Sequence, residues 1–397
     1  MWSGRHVVLG VSGGIACYKS CFLARLLTEA GARVDVVMTR SATEFVRPVT
    51  FEALTGRPVL TSLWEADGAL SHVRRGQEAD LIIVAPATAQ LIARMAQGLA
   101  DDVLTALLLA RTAPVLLAPA MNDEMYAHPQ TRANLALLRE RGLATVGPAI
   151  GALAEGASDR PGRMSEPATI MAHAARLLGA RGALAGRRVV VTAGPSREPI
   201  EPVRFITIRS SGKMGYRLAE AAWERGAEVL LISGPATLPA PEGVTVERVE
   251  STADMEAAVR AALPTADVLV MAAAPADFRP LNPCDTKQPR IDGELSLPLA
   301  PTRDILQATL EARRPGAVIV GFALETGSAE ERGRAKLARK SLDLIVVNDA
   351  LEPGAGFEVE TNRVTLLDRH GGRQVLPLAS KRAVADAILD DVERLLV

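Results

Sequence analysis

The sequence is short of the residues that most function classes need. Aromatics make up only 3% of 397 residues, so the cores must be built from Ala, Val, Leu and Ile, the material of parallel strands covered by helices. Three cysteines, Cys17, Cys21 and Cys284, form no CxxC and no disulfide framework, so a reducing cytoplasm is the expected home. The five histidines contain no HxxxH pair, which argues against a His-based zinc site. A net charge of −1 gives no global field, so neither nucleic acid nor an anionic membrane is an expected partner. Apolar stretches such as 81–93 and 103–110 are too short, or broken by proline, to span a bilayer. The first residues run straight into a strand with no charged segment followed by an apolar one, so no secretory signal is expected.

What is present is a repeated alternation of apolar runs and helical patterns. Residues 5–10 (RHVVLG) form an apolar run that ends in the turn VSGGIA. A helical pattern over about 15–30 closes at Gly31, and an apolar strand follows at 33–38, completing a βαβ unit. Further strands are expected at 80–85 and 114–118. The pattern restarts near Gly186 with GRRVVVTAG, a helix from SSGKMG to about Arg225, and strands at 228–233, 267–271, 317–321 and 343–347. The small, Gly-rich stretch 179–186 reads as a linker. The expectation is an α/β chain of two Rossmann-like doubly wound domains, 1–180 and 186–397.

Ser12, Gly13 and Gly14 lie between a strand and a helix, where glycine lets the backbone approach an anion and the helix offers free N–H groups. The same glycines could serve only a tight turn. They do not form G-x-G-x-x-G, which argues against a nicotinamide-dependent oxidoreductase. Thr39 and Ser41 end the next strand and Thr88 the third, at the edge where open α/β sheets collect ligands. Asn122, in PAMNDEMY, can hydrogen-bond a carboxylate without adding charge. In the second half, Ser210, Ser211, Gly212 and Lys213 precede a helix without Walker A spacing, and either bind an anion or simply cap that helix. Lys336 and Lys340 are four apart, so they either converge on one ligand or form a solvated basic face.

GVSGGIA, APATA, ADDV, PAMNDEM and PGRM, in this order, resemble the flavoprotein family of cysteine decarboxylases. That resemblance implies FMN as cofactor, with Met121 joining Ser12, Gly13, Gly14, Thr39, Ser41 and Thr88 around it. It implies His72 as catalytic base and Asn122 as holder of the substrate carboxylate. The family's covering loop carries a cysteine that protonates an ene-thiolate; here LAEGASDRPGRM has Glu155 in that place. Either Glu155 or Ser158 supplies the proton, or the reductive half-step is compromised.

The second half resembles the phosphopantothenate–cysteine ligases through TAGPSREPIEPVRFITIRSSGKMG, AAAPADFRP, DTK, VGFALET and DLIVVND. The resemblance implies CTP, 4′-phosphopantothenate and cysteine as substrates and Mg²⁺ as cofactor. It assigns nucleotide contacts to Ser211, Gly212, Ala273, Asp277, Lys287, Arg303, Asp304, Ile305, Leu306, Phe322, Lys336 and Lys340. Lys287 is also catalytic in this assignment, and Asp277 is a tentative metal ligand. Ile208 stands where the family often has Asn, with Thr207 or Arg209 as possible substitutes, and Gln288, Pro289 and Arg290 replace a Lys-rich run. These departures leave open a catalytically impaired binding or regulatory homologue that keeps both sites. The resemblance further implies a homo-oligomer, with trimeric contacts in the first half and dimeric ones in the second, together a dodecamer.

Overall fold

Strand β1 (His6–Val11) is buried along its whole length, as a strand covered on both faces must be. Its side chains alternate between two cores. Val7 and Leu9 join Leu23 and Leu27 on one face of the sheet, while Val8 joins Ile82, Leu104 and Leu107 on the other. The computed structural model describes residues 1–64, 70–289, 296–325, 329–349 and 359–396; Arg290 and Thr326 lie outside them. The chain divides into two compact units, Met1–Leu178 and Gly179–Val397.

The first unit holds a parallel sheet of β1, β2 (Arg33–Met38), β3 (Leu81–Ala87), β4 (Val115–Pro119) and β5 (Ala144–Thr145), in the order β2-β1-β3-β4-β5. Helices α1 (Cys17–Glu29), α2 (Pro48–Thr55), α3 (Ser71–Glu78), α4 (Ala89–Gln97), α5 (Val103–Ala110), α6 (Asp123–Ala127), α7 (Pro129–Glu140) and α8 (Pro167–Gly179) make the connections. The strand order reverses between β1 and β3, and a crevice opens there at the carboxyl ends of the strands. A short hairpin, β6 (Ala149–Ile150) with β7 (Pro161–Arg163), carries the loop that contains Glu155.

The main sheet of the second unit has, among the described residues, eight strands in the order β12-β11-β8-β13-β16-β17-β18-β19. They are β8 (Arg188–Ala193), β11 (Glu228–Ser233), β12 (Thr245–Arg248), β13 (Val268–Met271), β16 (Val318–Glu325), β17 (Leu344–Asp349), β18 (Thr361–Asp368) and β19 (Arg373–Ser380). The first six are parallel, and their order again reverses, between β8 and β13. Two small hairpins, β9 (Arg197–Pro199) with β10 (Phe205–Thr207) and β14 (Phe278–Pro280) with β15 (Leu299–Pro301), stand outside the sheet. The helices are α9 (Lys213–Glu224), α10 (Thr252–Ala262), α11 (Ile305–Ala308), α12 (Ala329–Arg339) and α13 (Lys381–Leu395).

Both units are doubly wound α/β folds, as the alternation predicts. The β18–β19 hairpin is additional. It pairs antiparallel with β17 and turns at Gly371, whose φ of 92° suits glycine, while Asp368 Oδ1 accepts the N–H groups of His370 and Gly372. Among the described residues no helix is long and apolar enough to cross a membrane.

Candidate active sites

In the first unit, Ser12 joins the ends of β1 and β3. Its hydroxyl donates to the Pro86 carbonyl at 2.7 Å and accepts the Thr88 N–H at 3.0 Å. Thr88 in turn caps α4. Thr39 caps the 3-10 turn Arg40–Glu44, which brings Ser41 against Gly13. A Cβ on Gly13 would stand 2.4 Å from Ser41 Cβ, so only glycine fits. Ser12, Gly13, Thr39, Ser41 and Thr88 therefore form one backbone cradle at the switch point.

Beside it lies a cavity of ≈ 420 Å³ lined by Gly14, Lys19, Met121, Asn122, Glu155 and Arg163, among others. Asn122 caps α6. Its Oδ1 accepts the Glu124 N–H at 2.9 Å, and its Nδ2 donates to Glu155 Oε1 at 3.3 Å. The amide thus already faces a carboxylate. Ser158 donates instead to Asp123 Oδ2 at 2.7 Å, outside the cavity lining, so of the two candidate proton donors only Glu155 reaches the cavity. Glu155 is exposed in the single chain. His72 sits on α3 and is not among the lining residues.

In the second unit a cavity of ≈ 390 Å³ opens at the carboxyl ends of β8, β13, β16 and β17. Ser211, Gly212, Ala273, Asp277, Phe322 and Lys340 all line it. The segment 272–277 is fixed from below. The Ala273 N–H donates to Thr192 Oγ1, Ala274 to the Gly194 carbonyl and Ala276 to Ser196 Oγ. Glu198, 3% exposed, completes that support by accepting from Ser196 and Thr252.

Other expected nucleotide contacts stand elsewhere. Lys336 is ion-paired with the buried Glu325 at 2.5 Å rather than converging with Lys340. Arg303 pairs with Glu256, and Asp304 caps α11 and pairs with Lys340 at 2.9 Å. Ile305 and Leu306 point into the core, so only their backbone is available to a ligand. Lys287 is exposed on a loop braced by the Glu201 carboxylate, which accepts the Gln288 N–H at 2.5 Å, and by Arg204, which donates to the Gln288 carbonyl. Ile208 lines the cavity, whereas the Thr207 hydroxyl is committed to the Ser196 carbonyl, so Thr207 does not replace the missing amide.

A family model described as Flavoprotein matches residues 1–179, and one described as DNA/pantothenate metabolism flavoprotein C-terminal domain matches 184–396. The coenzyme A biosynthesis bifunctional protein CoaBC of Bacillus subtilis (strain 168) is 46% identical over 400 residues, covering 100% of this chain and 98% of that protein. The chain belongs to the bifunctional coenzyme A biosynthesis family. The CoaBC protein of Mycobacterium tuberculosis (strain H37Rv) is 48% identical over 403 residues, 98% of this chain and 96% of its own length. The solved C-terminal domain of a CoaBC protein aligns at 40% identity with a TM-score of 0.46, over 54% of this chain and 98% of that one.

As a member of this family the chain is an enzyme of coenzyme A biosynthesis, with a flavoprotein decarboxylase half and a ligase half. The match spans both halves, which lends no support to an impaired regulatory relative or to a nicotinamide enzyme. Geometry adds lining residues that no motif announced. Lys19, 6% exposed, reaches the first cavity and donates to the Met164 carbonyl and Glu166, pinning the PGRM segment. In the ligase half Asn362 and Lys381 enter the cavity from β18 and α13, elements remote in sequence from every motif.

Proposed function

We propose that the first unit decarboxylates phosphopantothenoylcysteine with FMN, and that the second makes this substrate from 4′-phosphopantothenate, cysteine and CTP. The observation that carries the first half is the Asn122 amide directed at a carboxylate in a cavity beside the Gly13 cradle. The cradle fits a flavin phosphate: Gly13 lets the Ser41 turn pack against the start of α1, Gly14 lines the cavity beside it, and the cradle sits at the sheet's switch point. FMN, when bound, supplies reversible two-electron redox chemistry. Asn122 then holds the substrate carboxylate without repelling it, His72 accepts a proton, and Glu155 donates one to the ene-thiolate left when carbon dioxide departs.

Neither His72 nor the burial of Glu155 is provided by one chain, and this supports a homo-oligomer. Ile15 and Tyr18 line the first cavity and, with Phe22 on the same face of α1, stand exposed as an apolar stripe. A second copy on that face, in a trimer, would close the cavity and bring His72. In the ligase half Val203, Phe205, Phe278, Leu281 and Leu299 are exposed on and beside the two small hairpins, a face suited to a dimer. Together these contacts give a dodecamer.

In the ligase cavity the phosphopantothenate carboxylate attacks the α-phosphorus of CTP, diphosphate leaves and an acyl-cytidylate forms, and the cysteine amine then displaces CMP to make the amide. Phe322 packs on the nucleotide, Lys340 and Lys287 supply positive charge, and Lys336 is released from Glu325 to join them. Among the described residues no group of three His, Cys, Asp or Glu could hold a metal. Mg²⁺ would therefore be carried mainly by the triphosphate, with Asp277 as its protein ligand. The purified protein should be yellow. Asn122→Ala should retain the flavin and lose decarboxylation with the ligase rate unchanged. A colourless, folded protein with no affinity for FMN would contradict the reading of the first half.

A further inference from the structure

Ser196 is fully buried in the turn between β8 and β9, where two walls of the ligase cavity meet. That turn lies against the segment after β13: Ala274 donates its N–H to the Gly194 carbonyl, and Pro195 bridges to Ala274. The two oxygens of Ser196 serve different walls. Its hydroxyl accepts the Ala276 N–H at 2.9 Å, which fixes the backbone next to Asp277. Its carbonyl accepts the Thr207 hydroxyl at 2.7 Å, which fixes the backbone next to Ile208. Asp277 and Ile208 both line the cavity, whereas Ser196 does not.

A hydroxyl carries one hydrogen, and the partner that takes it decides where the lone pairs point. Here the partner is Glu198, also absent from the cavity lining: its Oε1 accepts the Ser196 hydroxyl at 2.8 Å. A carboxylate only accepts, so the Ser196 lone pairs are turned to Ala276. The same Oε1 accepts the N–H and the hydroxyl of Thr252, at 2.9 and 2.7 Å, which ties the first residue of α10 to the junction. Burying a carboxylate costs free energy that its hydrogen bonds largely offset, so stability alone does not account for Glu198. What the carboxylate adds is a fixed direction for one hydroxyl.

We infer that Ser196 and Glu198 are positioning residues for acyl-cytidylate formation, holding the Asp277 wall and the Ile208 wall at one fixed separation. The inference rests on the ligase reading above. In that step a carboxylate oxygen bonds to the α-phosphorus while the bond from phosphorus to the bridging oxygen breaks, and the electron pair leaves with diphosphate. The attacking and leaving oxygens must be in line, so the two substrates have to be held by walls that do not move apart. A misplacement of about 1 Å in such a site costs about 10²-fold in rate. Ser196 is the one residue whose side chain holds one wall and whose backbone holds the other.

The test is the rate of diphosphate release by full-length protein from CTP, 4′-phosphopantothenate and Mg²⁺, in the first turnover and in the steady state with cysteine. Ser196→Ala removes the hydroxyl and keeps the carbonyl; Thr207→Val removes the other link without changing its shape. Ser196→Ala should lower the first-turnover rate by about 10²-fold and Thr207→Val by about tenfold. The loss should fall on kcat, with KM for CTP and 4′-phosphopantothenate within about threefold of wild type, as for groups that act only on transition-state geometry. The double variant should be no slower than Ser196→Ala, because one separation is lost only once. Glu198→Ala should match Ser196→Ala, and Glu198→Gln, which keeps the accepting oxygen, should stay within about threefold of wild type. A Ser196→Ala rate like wild type, a loss carried by KM alone, a double variant whose losses multiply, or Glu198→Gln as slow as Glu198→Ala would each overturn the inference. If Glu198→Ala does not fold, the Ser196 and Thr207 variants decide. A wild type that releases no diphosphate from these substrates refutes the ligase reading itself, whereas an active wild type with an equally active Ser196→Ala refutes only this inference.

Discussion

Asn122 divides its two polar atoms between structure and chemistry: the oxygen caps α6 and the nitrogen faces the cavity. Asn122→Asp should keep the cap but set two carboxylates against each other. Decarboxylation should fall by about 10²-fold, comparable to loss of a preorganised donor, while ligation is unchanged when the two steps are assayed separately. The dual role also bears on what was legible in the sequence. Gly13, Asn122 and Ala273 sit in turns next to strands and Phe322 within β16, where local sequence dictates position, and their motifs mark them. Lys381 and Asn362 reach the ligase cavity only because a hairpin far along the chain folds back beside β17, so no local pattern marks them. The converse holds for Lys336: its spacing from Lys340 allows either convergence or a solvated basic face, but the buried Glu325 captures it.

Elements carry two further predictions. Strands β1 and β2 are tied at their buried edge by His6, whose Nε2 lies 2.8 Å from Asp35, and Arg57 donates to the other Asp35 oxygen. Burial acts to raise the Asp35 carboxyl, but hydrogen bonds from His6 and Arg57 outweigh it and hold it at about 2, below its ordinary 3.8. Its stabilisation is therefore complete above pH 3.8 and lost as pH falls from 3.8 through about 2. Asp35→Asn should lower stability at neutral pH by about 2 kcal/mol and flatten the acid limb of denaturant midpoints against pH. A parallel acid limb would show that the pair does not govern it. The second prediction concerns the Lys287 loop, which hangs on the Glu201 carboxylate through the Gln288 N–H. Glu201→Ala should lower ligase kcat/KM by about tenfold and leave flavin content and decarboxylation unaltered. Strand and helix positions were readable because burial on both faces forces continuous apolar runs. The β18–β19 hairpin was missed because its strands mix charged and apolar residues at an exposed sheet edge.

For the whole molecule, the exposed stripe of Ile15, Tyr18 and Phe22 runs from the first cavity onto the surface of α1. If a second copy covers it, Phe22→Asp should shift the mass measured by light scattering to a smaller species. Flavin should be lost in parallel, because the cavity would stand open. A variant that dissociates and still holds FMN and decarboxylates would separate assembly from the site. The central claim, however, is that one chain performs two consecutive reactions, and it is tested by mass spectrometry of the products that purified protein makes from 4′-phosphopantothenate, cysteine, CTP and Mg²⁺. Conversion to 4′-phosphopantetheine, with CMP and diphosphate released, is the predicted result. Accumulation of phosphopantothenoylcysteine or of an oxidised ene-thiol, or no product from a folded yellow protein, would contradict it.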